Sequence, residues 1–509
     1  MKNIFIVDAS LYWSDEISSF VSDELKEQKN TIDFLIDKLN FENFSYILLH
    51  TKNFPSELKT KFQNKNFELK ETEKSHSLPE LLNKLKKIKE ALTADNVGFT
   101  YLDSPFLDVA INKEIIKMHL DNEAEYTFAD NLPEGLSIEM CSSDFLDAIV
   151  KSEPKSPELL SRKIFDNVKA DINQYYVEVF LPDDDLSLKR IEFHTNTKRN
   201  RQLLLNFLKH NDASIDFQNI VQSLDKHPEI LFIHPKYVEI EITNKNLKCF
   251  FIPESKRPET FLSLENYKKI IEKITKDYND IIISLTGLGD PLLHPQFIEI
   301  LEYTINQSQV FSLIVETTGQ NLTEEIKQVL SQYPPYKLQI IFKVDAVSQE
   351  VYSKLYEGEL EPVKKNIESF LSLNEVNGQR TFLQFTKMKE NIAEMEPFYR
   401  YWKEKGSQII IQKYNSYAGV LENRTISDLT PLDRLPCWHL QRDLTVLADG
   451  TVPVCKQDFD GKMILGNLIK DKFIEIQNKM RPFYLDNYSD QFKSLPLCSK
   501  CDEWYTYNF

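Results

Sequence analysis

Short apolar runs alternate with amphipathic stretches along most of this chain. In roughly the first 225 residues, the runs NIFIVDA, FSYILLHT and NVGFTYLDS have the length and composition of β-strands, and LPELLNKLKKIKEAL carries its leucines at helical spacing. Because strands separated by helices usually pair in parallel, this segment predicts an α/β domain with a mainly parallel sheet. The stretch from about residue 200 to 230 predicts further helix.

A second series of strands and helices begins at Tyr237 and continues to about residue 425. Six apolar runs are separated by stretches with helical spacing: YVEIEIT, DIIISLTG, FSLIVETTG, KLQIIFKVDA, RTFLQFTKM and QIIIQKYN. Six such units predict a partial (β/α)6 barrel, whose functional residues we expect at the carboxyl ends of the strands. After about Leu435 the pattern changes to short strands, turns and cysteines.

These changes of pattern predict three domains, at residues 1-230, 235-425 and 430-509. Of the 509 residues, 41 % are hydrophobic and 27 % charged, which is typical of folded globular domains. The net charge of −17 opposes binding to nucleic acid or to an anionic membrane surface. The first apolar run, Ile4 to Val7, is too short for a signal peptide, and no apolar stretch is long enough to span a membrane. We therefore expect a cytoplasmic protein whose partner is a protein or a small molecule.

Four of the six cysteines lie within the last 73 residues. Cys437 and Cys455 are joined by a stretch that includes LTVLADGTVPV, whose Asp-Gly pair predicts a tight hairpin turn. Cys498 and Cys501 form a CxxC pair. Four thiolates from a hairpin and a CxxC loop suit either Zn²⁺ or an iron–sulfur cluster, and the spacing alone leaves both open.

This C-terminal segment resembles the SPASM domain that follows radical S-adenosylmethionine barrels, in its shortened "twitch" form. The resemblance rests on a first cysteine, on DGTVPVC, on a Gly-Asn pair and on the final CxxC. It implies one auxiliary [4Fe-4S] cluster held by Cys437, Cys455, Cys498 and Cys501, with Zn²⁺ as the alternative.

The loop after the first barrel strand, TNKNLKCFFIP, resembles the CxxxCxxC loop of the radical S-adenosylmethionine family. There three cysteines hold the cluster that cleaves S-adenosylmethionine. Asn246 and Leu247 match that loop, but the three cysteine positions are occupied by Lys245, Cys249 and Ile252. The resemblance therefore implies a barrel that has lost its radical chemistry, with Cys249 kept as a small buried residue. The alternative is an active enzyme with altered ligation that modifies a peptide or a carbohydrate.

The stretch LTGLGDPLLHP resembles the family's turn that contacts the methionine part of S-adenosylmethionine. By this resemblance Gly287, Gly289, Asp290 and Pro291 are the candidates for any binding of that cofactor.

In the first domain, GFTYLDSPFLD resembles nucleotidyltransferases of the cytidylyltransferase type. The resemblance implies that Asp103 would hold a divalent metal on nucleotide phosphates, for which Mg²⁺ is suited. That family has a loop rich in Gly, Arg and Lys after its first strand, whereas VDASLYWSDEISSF contains none of these residues. We therefore expect a degenerate nucleotidyltransferase-like domain, with a nucleotide-sugar transferase as the alternative.

Over nearly its full length the three-part chain resembles the spirochaete-type SPASM proteins. The sequence thus predicts an α/β protein that binds one auxiliary iron–sulfur cluster and has lost radical chemistry.

Overall fold

The structure, a computed structural model, describes residues 1–10, 21–151, 162–169, 172–211, 215–245, 249–489, 491 and 495–506. The chain divides into two compact units, Met1–Ile230 and Leu231–Phe509. The further boundary predicted between residues 425 and 430 stays a prediction. Within the described residues, no helix is both long enough and apolar enough to cross a bilayer.

The first unit is built on a seven-stranded mixed sheet in which parallel pairs predominate. The unit has nine strands: β1 Asn3–Ala9, β2 Glu24–Lys26, β3 Lys29–Asn30, β4 Phe44–Thr51, β5 Glu68–Thr72, β6 Asn96–Tyr101, β7 Tyr126–Ala129, β8 Glu139–Ser142 and β9 Val177–Phe180, among the described residues. Strands β2 and β3 form a separate two-stranded ribbon, and the other seven form the sheet. The sheet order is β5-β4-β1-β6-β8-β7-β9, and only β8 runs antiparallel to its neighbours. The predicted mainly parallel sheet is confirmed.

Helices of the first unit follow most of its strands. They are α1 Thr31–Lys38, α2 Ser56–Gln63, α3 Leu78–Leu92, α4 Val109–Asp121, α5 Ser143–Lys151, α6 Phe165–Val168, α7 Lys198–Leu208 and α8 Phe217–Lys226. The predicted lysine-rich helix is α3, which begins after the N-cap Ser77, whose hydroxyl accepts a hydrogen bond from the Glu80 N–H. Its leucines Leu81 and Leu85 are fully buried in the core, whereas Lys87 lies on the exposed face.

The second unit contains an open, all-parallel sheet of seven strands. They are β10 Tyr237–Ile240, β11 Ile281–Leu285, β12 Val310–Thr317, β13 Leu338–Lys343, β14 Thr381–Lys387, β15 Gln408–Lys413 and β16 Asp443–Val446. The order is β15-β14-β13-β12-β11-β10-β16, so β15 and β16 are the two edges. The six predicted strands form in sequence order, and the seventh is supplied by the cysteine-rich segment.

Helices connect these strands, and a small ribbon completes the unit. The helices are α9 Leu264–Thr275, α10 Phe297–Ile305, α11 Glu324–Leu330, α12 Gln349–Leu355, α13 Leu360–Leu373, α14 Asn377–Arg380, α15 Met395–Glu404, α16 Trp438–Arg442 and α17 Phe473–Tyr488. The ribbon pairs β17 Thr451–Pro453 with β18 Ile464–Asn467 in antiparallel fashion.

The predicted hairpin around the Asp-Gly pair differs from the structure. The tight turn is present, because the Gly450 N–H donates to the Leu447 carbonyl and Gly450 has a φ of +81°. The strands on either side then separate: β16 joins β10, while β17 pairs with β18. Pairing with the barrel sheet buries β16, which a free two-stranded hairpin could not do.

One face of the second sheet changes from apolar to polar along the strands. Tyr237, Ile314 and Ile341 form a small apolar cluster on this face. Two residues further along, alternation places Glu239, Glu316 and Lys343 on the same face. The carboxylate of Glu316 and the Lys343 ammonium lie 2.9 Å apart. Charged groups therefore collect toward the carboxyl ends of the strands.

Candidate functional site

Four cysteines come together in the C-terminal part of the second unit. We call them the cysteine group: Cys437, Cys455, Cys498 and Cys501. The first precedes α16 and the second follows β17, whereas Cys498 begins the short 3-10 turn Cys498–Lys500 and Cys501 follows it. Each is thus held at the end of a regular element, and three different segments of chain converge.

Burial and mutual proximity define the chemistry of the cysteine group. Burial raises the pKa of Cys437 and Cys498 to about 11 and that of Cys501 to about 12, and it raises the pKa of Cys455 well above its usual value. The charges of the other group members add to the increase at each of these thiols. Four thiolates so close together, one buried and three partly buried, are unfavourable unless a cationic centre compensates them.

The distances between these sulfurs can be compared with those of a zinc site. Zinc–sulfur bonds of about 2.3 Å place the thiolates of a tetrahedral site about 3.8 Å apart. Among the described residues, no three members of the cysteine group have sulfurs that all lie within 4.8 Å of one another. The sulfurs therefore lie further apart than in a closed tetrahedral zinc site.

Amide groups contact two residues of the cysteine group. The Glu503 N–H donates to Cys501 Sγ at 3.3 Å, and the Asn487 Oδ1 accepts the Cys437 N–H at 2.7 Å. The Gln457 side-chain amide is buried, and neither its nitrogen nor its oxygen has a hydrogen-bond partner in the described part of the chain. The N–H···S bond on Cys501 is of the kind that stabilises metal-bound thiolates.

The loop after β10 has a different character. Cys249 is buried and pairs with Tyr356 in an isolated bridge, and burial raises the pKa of its thiol to about 12. The charged groups that act on this thiol are Asp345 and Lys343, and they include no cysteine. The expected small buried cysteine is what the structure shows at this position.

The two replaced cysteine positions do not point to metal binding. Lys245 is about half exposed, and its ammonium lies 3.5 Å from a Glu259 carboxylate oxygen. The Ile252 N–H donates to the Cys249 carbonyl at 3.3 Å, which closes the loop into a turn. The matching positions Asn246 and Leu247 lie outside the described residues.

The glycine-rich turn after β11 packs tightly under the end of β10. A Cβ on Gly289 would lie 2.1 Å from the Thr243 carbonyl oxygen, so only glycine fits there. Both oxygens of Asp290 already accept hydrogen bonds from Thr317 and Thr318, at 2.7 to 3.0 Å. Pro291 begins a short 3-10 turn. The role of Asp290 in binding S-adenosylmethionine stays a prediction, and the observed role of its carboxylate is to tie two loops together.

A buried ion pair at the same end of the sheet was missed in the sequence. Arg257 donates to both oxygens of Glu241, at 2.6 and 3.0 Å. The same carboxylate accepts the Leu288 and Ala448 N–H groups, at 3.1 and 3.2 Å. A Cβ on Gly287 would lie 2.7 Å from this Glu241 side chain. Glu241 continues the alternation of β10, which is the only sequence signal for an inward-facing acid.

A cavity of about 420 Å³ opens beside the loop that contains Cys249. Cys249, Ile252 and Arg257 line one side, and Tyr356 lines the other. Behind it the Tyr356 hydroxyl donates to Asp345, whose pKa burial raises to about 6. This volume is within the range of small-molecule sites.

In the first unit, Asp103 is buried at the end of β6. Arg162 donates to both of its carboxylate oxygens, at 2.8 and 2.6 Å, and stacks over the Tyr101 ring. The charges of Arg162 and of His194 outweigh burial and lower the pKa of Asp103 well below its usual range. The guanidinium occupies the place where the resemblance implied a metal ion. The magnesium role of Asp103 stays a prediction that this arrangement does not favour.

Comparison with known proteins gives one family match and several relatives. Residues 437–502 match the SPASM iron-sulfur cluster-binding domain, a span that includes all four members of the cysteine group. An uncharacterized protein of Treponema pallidum is 30 % identical over 365 residues, which are 68 % of this chain and 98 % of the relative.

Solved structures show lower similarity. A cytidylyltransferase from Leptospira borgpetersenii is 16 % identical, with 45 % of this chain and 96 % of that chain covered and a TM-score of 0.38. BtrN in complex with AdoMet and 2-DOIA is 17 % identical, with coverage of 53 % and 97 % and a TM-score of 0.37. Streptococcus suis SuiB bound to precursor peptide SuiA is 13 % identical, with coverage of 58 % and 77 % and a TM-score of 0.44.

Proposed function

This chain belongs to the SPASM-type radical S-adenosylmethionine protein family, and within it we propose a protein that binds one auxiliary [4Fe-4S] cluster and has lost radical chemistry. The ligands would be the four cysteines of the cysteine group. We propose that it acts as a scaffold or electron-transfer partner in the cytoplasm.

The observation that carries the proposal is the contrast between two cysteine sites. The cysteine group brings one buried and three partly buried thiols within electrostatic range of one another, with a backbone N–H donor on Cys501. The barrel loop offers the single thiol of Cys249, with Lys245 and Ile252 at the other two positions. A [4Fe-4S] cluster needs at least three thiolates to leave one iron open for S-adenosylmethionine, and one thiolate cannot hold it.

The chain's own residues would supply three things at the cysteine group. The polypeptide buries Cys437 and partly covers the other three cysteines, the Glu503 N–H donates to Cys501 Sγ, and Asn487 fixes the backbone of Cys437. When bound, the cluster supplies one-electron transfer at a potential that burial and N–H···S bonds tune.

Anaerobic reconstitution with iron and sulfide tests this assignment. We expect about four iron atoms per chain and the absorption and EPR spectra of one [4Fe-4S] cluster. The variant Cys498→Ala/Cys501→Ala should lose the iron, whereas Cys141→Ala, which removes a buried thiol of the first unit, should keep it. One zinc and no iron per wild-type chain would contradict the proposal.

The alignment of the loop after β10 can be tested by restoring the two missing cysteines. Because two thiolates are missing, Lys245→Cys/Ile252→Cys should allow about four further iron atoms to assemble in the loop. Failure of a second cluster to form in a folded variant would contradict the alignment of this loop.

An active enzyme with altered ligation is the second candidate, and the cavity of about 420 Å³ beside Cys249 favours it. In that case reduced, reconstituted protein would convert S-adenosylmethionine to 5′-deoxyadenosine. We expect no conversion above a control without protein. Turnover that disappears in Cys249→Ala would establish the enzyme instead.

A nucleotide-sugar transferase is not supported by the first unit. Arg162 neutralises Asp103, and the cavity beside Arg162 and His194 holds only about 40 Å³. A nucleotide needs several hundred Å³. We expect no binding of CTP with Mg²⁺ by calorimetry.

A further inference from the structure

Three side chains of the first unit converge outside every site described above. They are His210, His227 and Glu229, and their ligand atoms all lie within 4.8 Å of one another. A carboxylate oxygen of Glu229 lies 3.4 Å from His227 Nδ1 and 4.0 Å from His210 Nε2. The two imidazole rings are stacked, with centroids 4.1 Å apart.

Local backbone hydrogen bonds place these three residues. His210 extends the last turn of α7, since its N–H donates to the Phe207 carbonyl at 3.1 Å. His227 is the C-cap of α8, where its N–H donates to Ser223 at 2.8 Å. Glu229 lies in the following 3-10 turn Pro228–Leu231. The arrangement therefore follows from two helix ends and not from long flexible loops.

The electrostatic field at this point favours a cation. The carboxyl end of a helix carries a partial negative charge of roughly half an elementary charge, because its last carbonyls are unpaired. The carboxyl ends of α7 and α8 meet here, and Glu229 adds a full negative charge. Each of the three side chains is 28 or 29 % exposed, so an ion can enter from solvent.

We propose that His210, His227 and Glu229 bind a divalent transition-metal ion, with Zn²⁺ as the expected occupant. Two imidazoles and one carboxylate are typical ligands of Zn²⁺, whereas Mg²⁺ and Ca²⁺ prefer oxygen ligands only. Three protein ligands leave a fourth position for water or another small ligand.

The observed distances agree with this occupant. Zinc bonds of about 2.1 Å to nitrogen and oxygen place tetrahedral ligands about 3.4 Å apart. The His227–Glu229 pair already has that separation, at 3.4 Å. The His210–Glu229 pair, at 4.0 Å, has to close by a few tenths of an ångström. A shared ion lies close to the plane of each imidazole ring that binds it, so the two stacked rings also have to turn relative to each other. Partly exposed histidines can do this by rotation about χ1 and χ2.

X-ray absorption at the zinc edge tests the site directly in the full chain, with the cysteine group first filled by iron–sulfur reconstitution. One equivalent of Zn²⁺ should show nitrogen and oxygen neighbours at about 2.0 to 2.1 Å, with imidazole scattering and without sulfur at about 2.3 Å. In a chain whose cysteine group holds its cluster, a spectrum dominated by sulfur, or no retained zinc, would overturn the proposal. If no cluster assembles, the cysteine group also binds zinc. Two equivalents of Zn²⁺ should then show an imidazole shell together with a sulfur shell, and a sulfur shell alone would overturn the proposal.

Variants locate the ion. We expect His210→Ala/His227→Ala to weaken zinc binding at least a hundredfold in competition with a chromogenic chelator, and Glu229→Gln at least tenfold. The exposed His76, also in the first unit, provides the matched control, and His76→Ala should bind like the wild type. Zinc affinity unchanged in Glu229→Gln and in the double variant would overturn the proposal. Since the absorption experiment uses the wild type, misfolding of the double variant would not remove the test.

Discussion

Buried charged side chains of the second unit depend on partners supplied by distant segments of the chain. Glu241 lies directly after β10, yet its carboxylate is satisfied by Arg257 and by backbone N–H groups near residues 288 and 448. Such an acid is stable only while its partners are present, because an unpaired buried charge is costly.

Removing Arg257 should therefore destabilise the second unit strongly. We expect Arg257→Met to lower the free energy of unfolding by about 3 to 5 kcal/mol, since Glu241 would stay buried without its counter-ion. The exposed pair of Arg400 and Glu396 is the matched control, and Arg400→Met should cost less than about 0.5 kcal/mol. Urea unfolding of both variants measures the difference; equal effects would contradict the structural role of Glu241.

Asp345 makes the stability of the second unit depend on pH. It is fully buried, and burial raises its pKa from 3.8 to about 6. The folded state therefore holds this proton more tightly than the unfolded chain does, so its contribution to stability is present at low pH and is lost as pH rises through 6.

The side chain in Asp345→Asn cannot ionise, so the stability of this variant should not fall in this way as pH rises. The free energy of unfolding of the variant, relative to wild type, should increase by on the order of 2 to 3 kcal/mol between about pH 4 and pH 7. Urea unfolding at a series of pH values measures it. A difference that is constant over this range would show that Asp345 does not titrate as proposed.

At the scale of elements, the loops after β10 and β11 and the strand β16 pack together at the carboxyl end of the second sheet. The turn after β11 passes under the end of β10, and β16 extends the sheet on the other side of β10. The cysteine-rich segment is therefore part of the barrel sheet, and its tight turn at Gly450 lies directly after the strand that pairs with β10.

Gly289 permits the close approach of these loops. Gly289→Ala would place its Cβ 2.1 Å from the Thr243 carbonyl oxygen, so we expect a loss of about 3 kcal/mol or more in the free energy of unfolding. At Gly406 a Cβ would meet nothing within 4 Å, but φ is +86°. Gly406→Ala should thus cost only about 1 to 2 kcal/mol. Thermal unfolding compares them, and a smaller effect at Gly289 would contradict the packing described.

At the scale of the whole molecule, the chain has two compact units, each with its own sheet. The resemblances of the two units point to different chemistry, and neither unit keeps all the residues that its resemblance implies. Arg162 is paired with Asp103 in the first, and lysine and isoleucine replace two cysteines in the second.

Two units with separate cores should unfold in separable calorimetric transitions. Arg162→Met leaves the buried Asp103 with only His194 as a charged neighbour, and we expect it to lower the midpoint temperature of one transition by several degrees. Loss of iron in Cys498→Ala/Cys501→Ala should lower the midpoint temperature of the other transition, since a bound group stabilises only the folded unit that binds it. If both variants shift the same transition, the units do not unfold separately.

Much of this protein could be read from its sequence, because local patterns determine local structure. Periodicity alone predicted α3, the six barrel strands and the mainly parallel sheets, and the cysteine spacing with DGTVPVC identified the SPASM segment before any coordinates.

The tertiary structure alone decided which groups meet. The sequence around Asp103 does not predict its pairing with Arg162, and the sequence around Glu241 does not predict its pairing with Arg257. His210 and His227 meet in the fold although they lie 17 positions apart in the chain. Likewise, β16 has the sequence of a hairpin strand but pairs with β10. Periodicity reports which face of an element is buried, whereas a partner is chosen by packing over long range, and that choice appears only when the chain is folded.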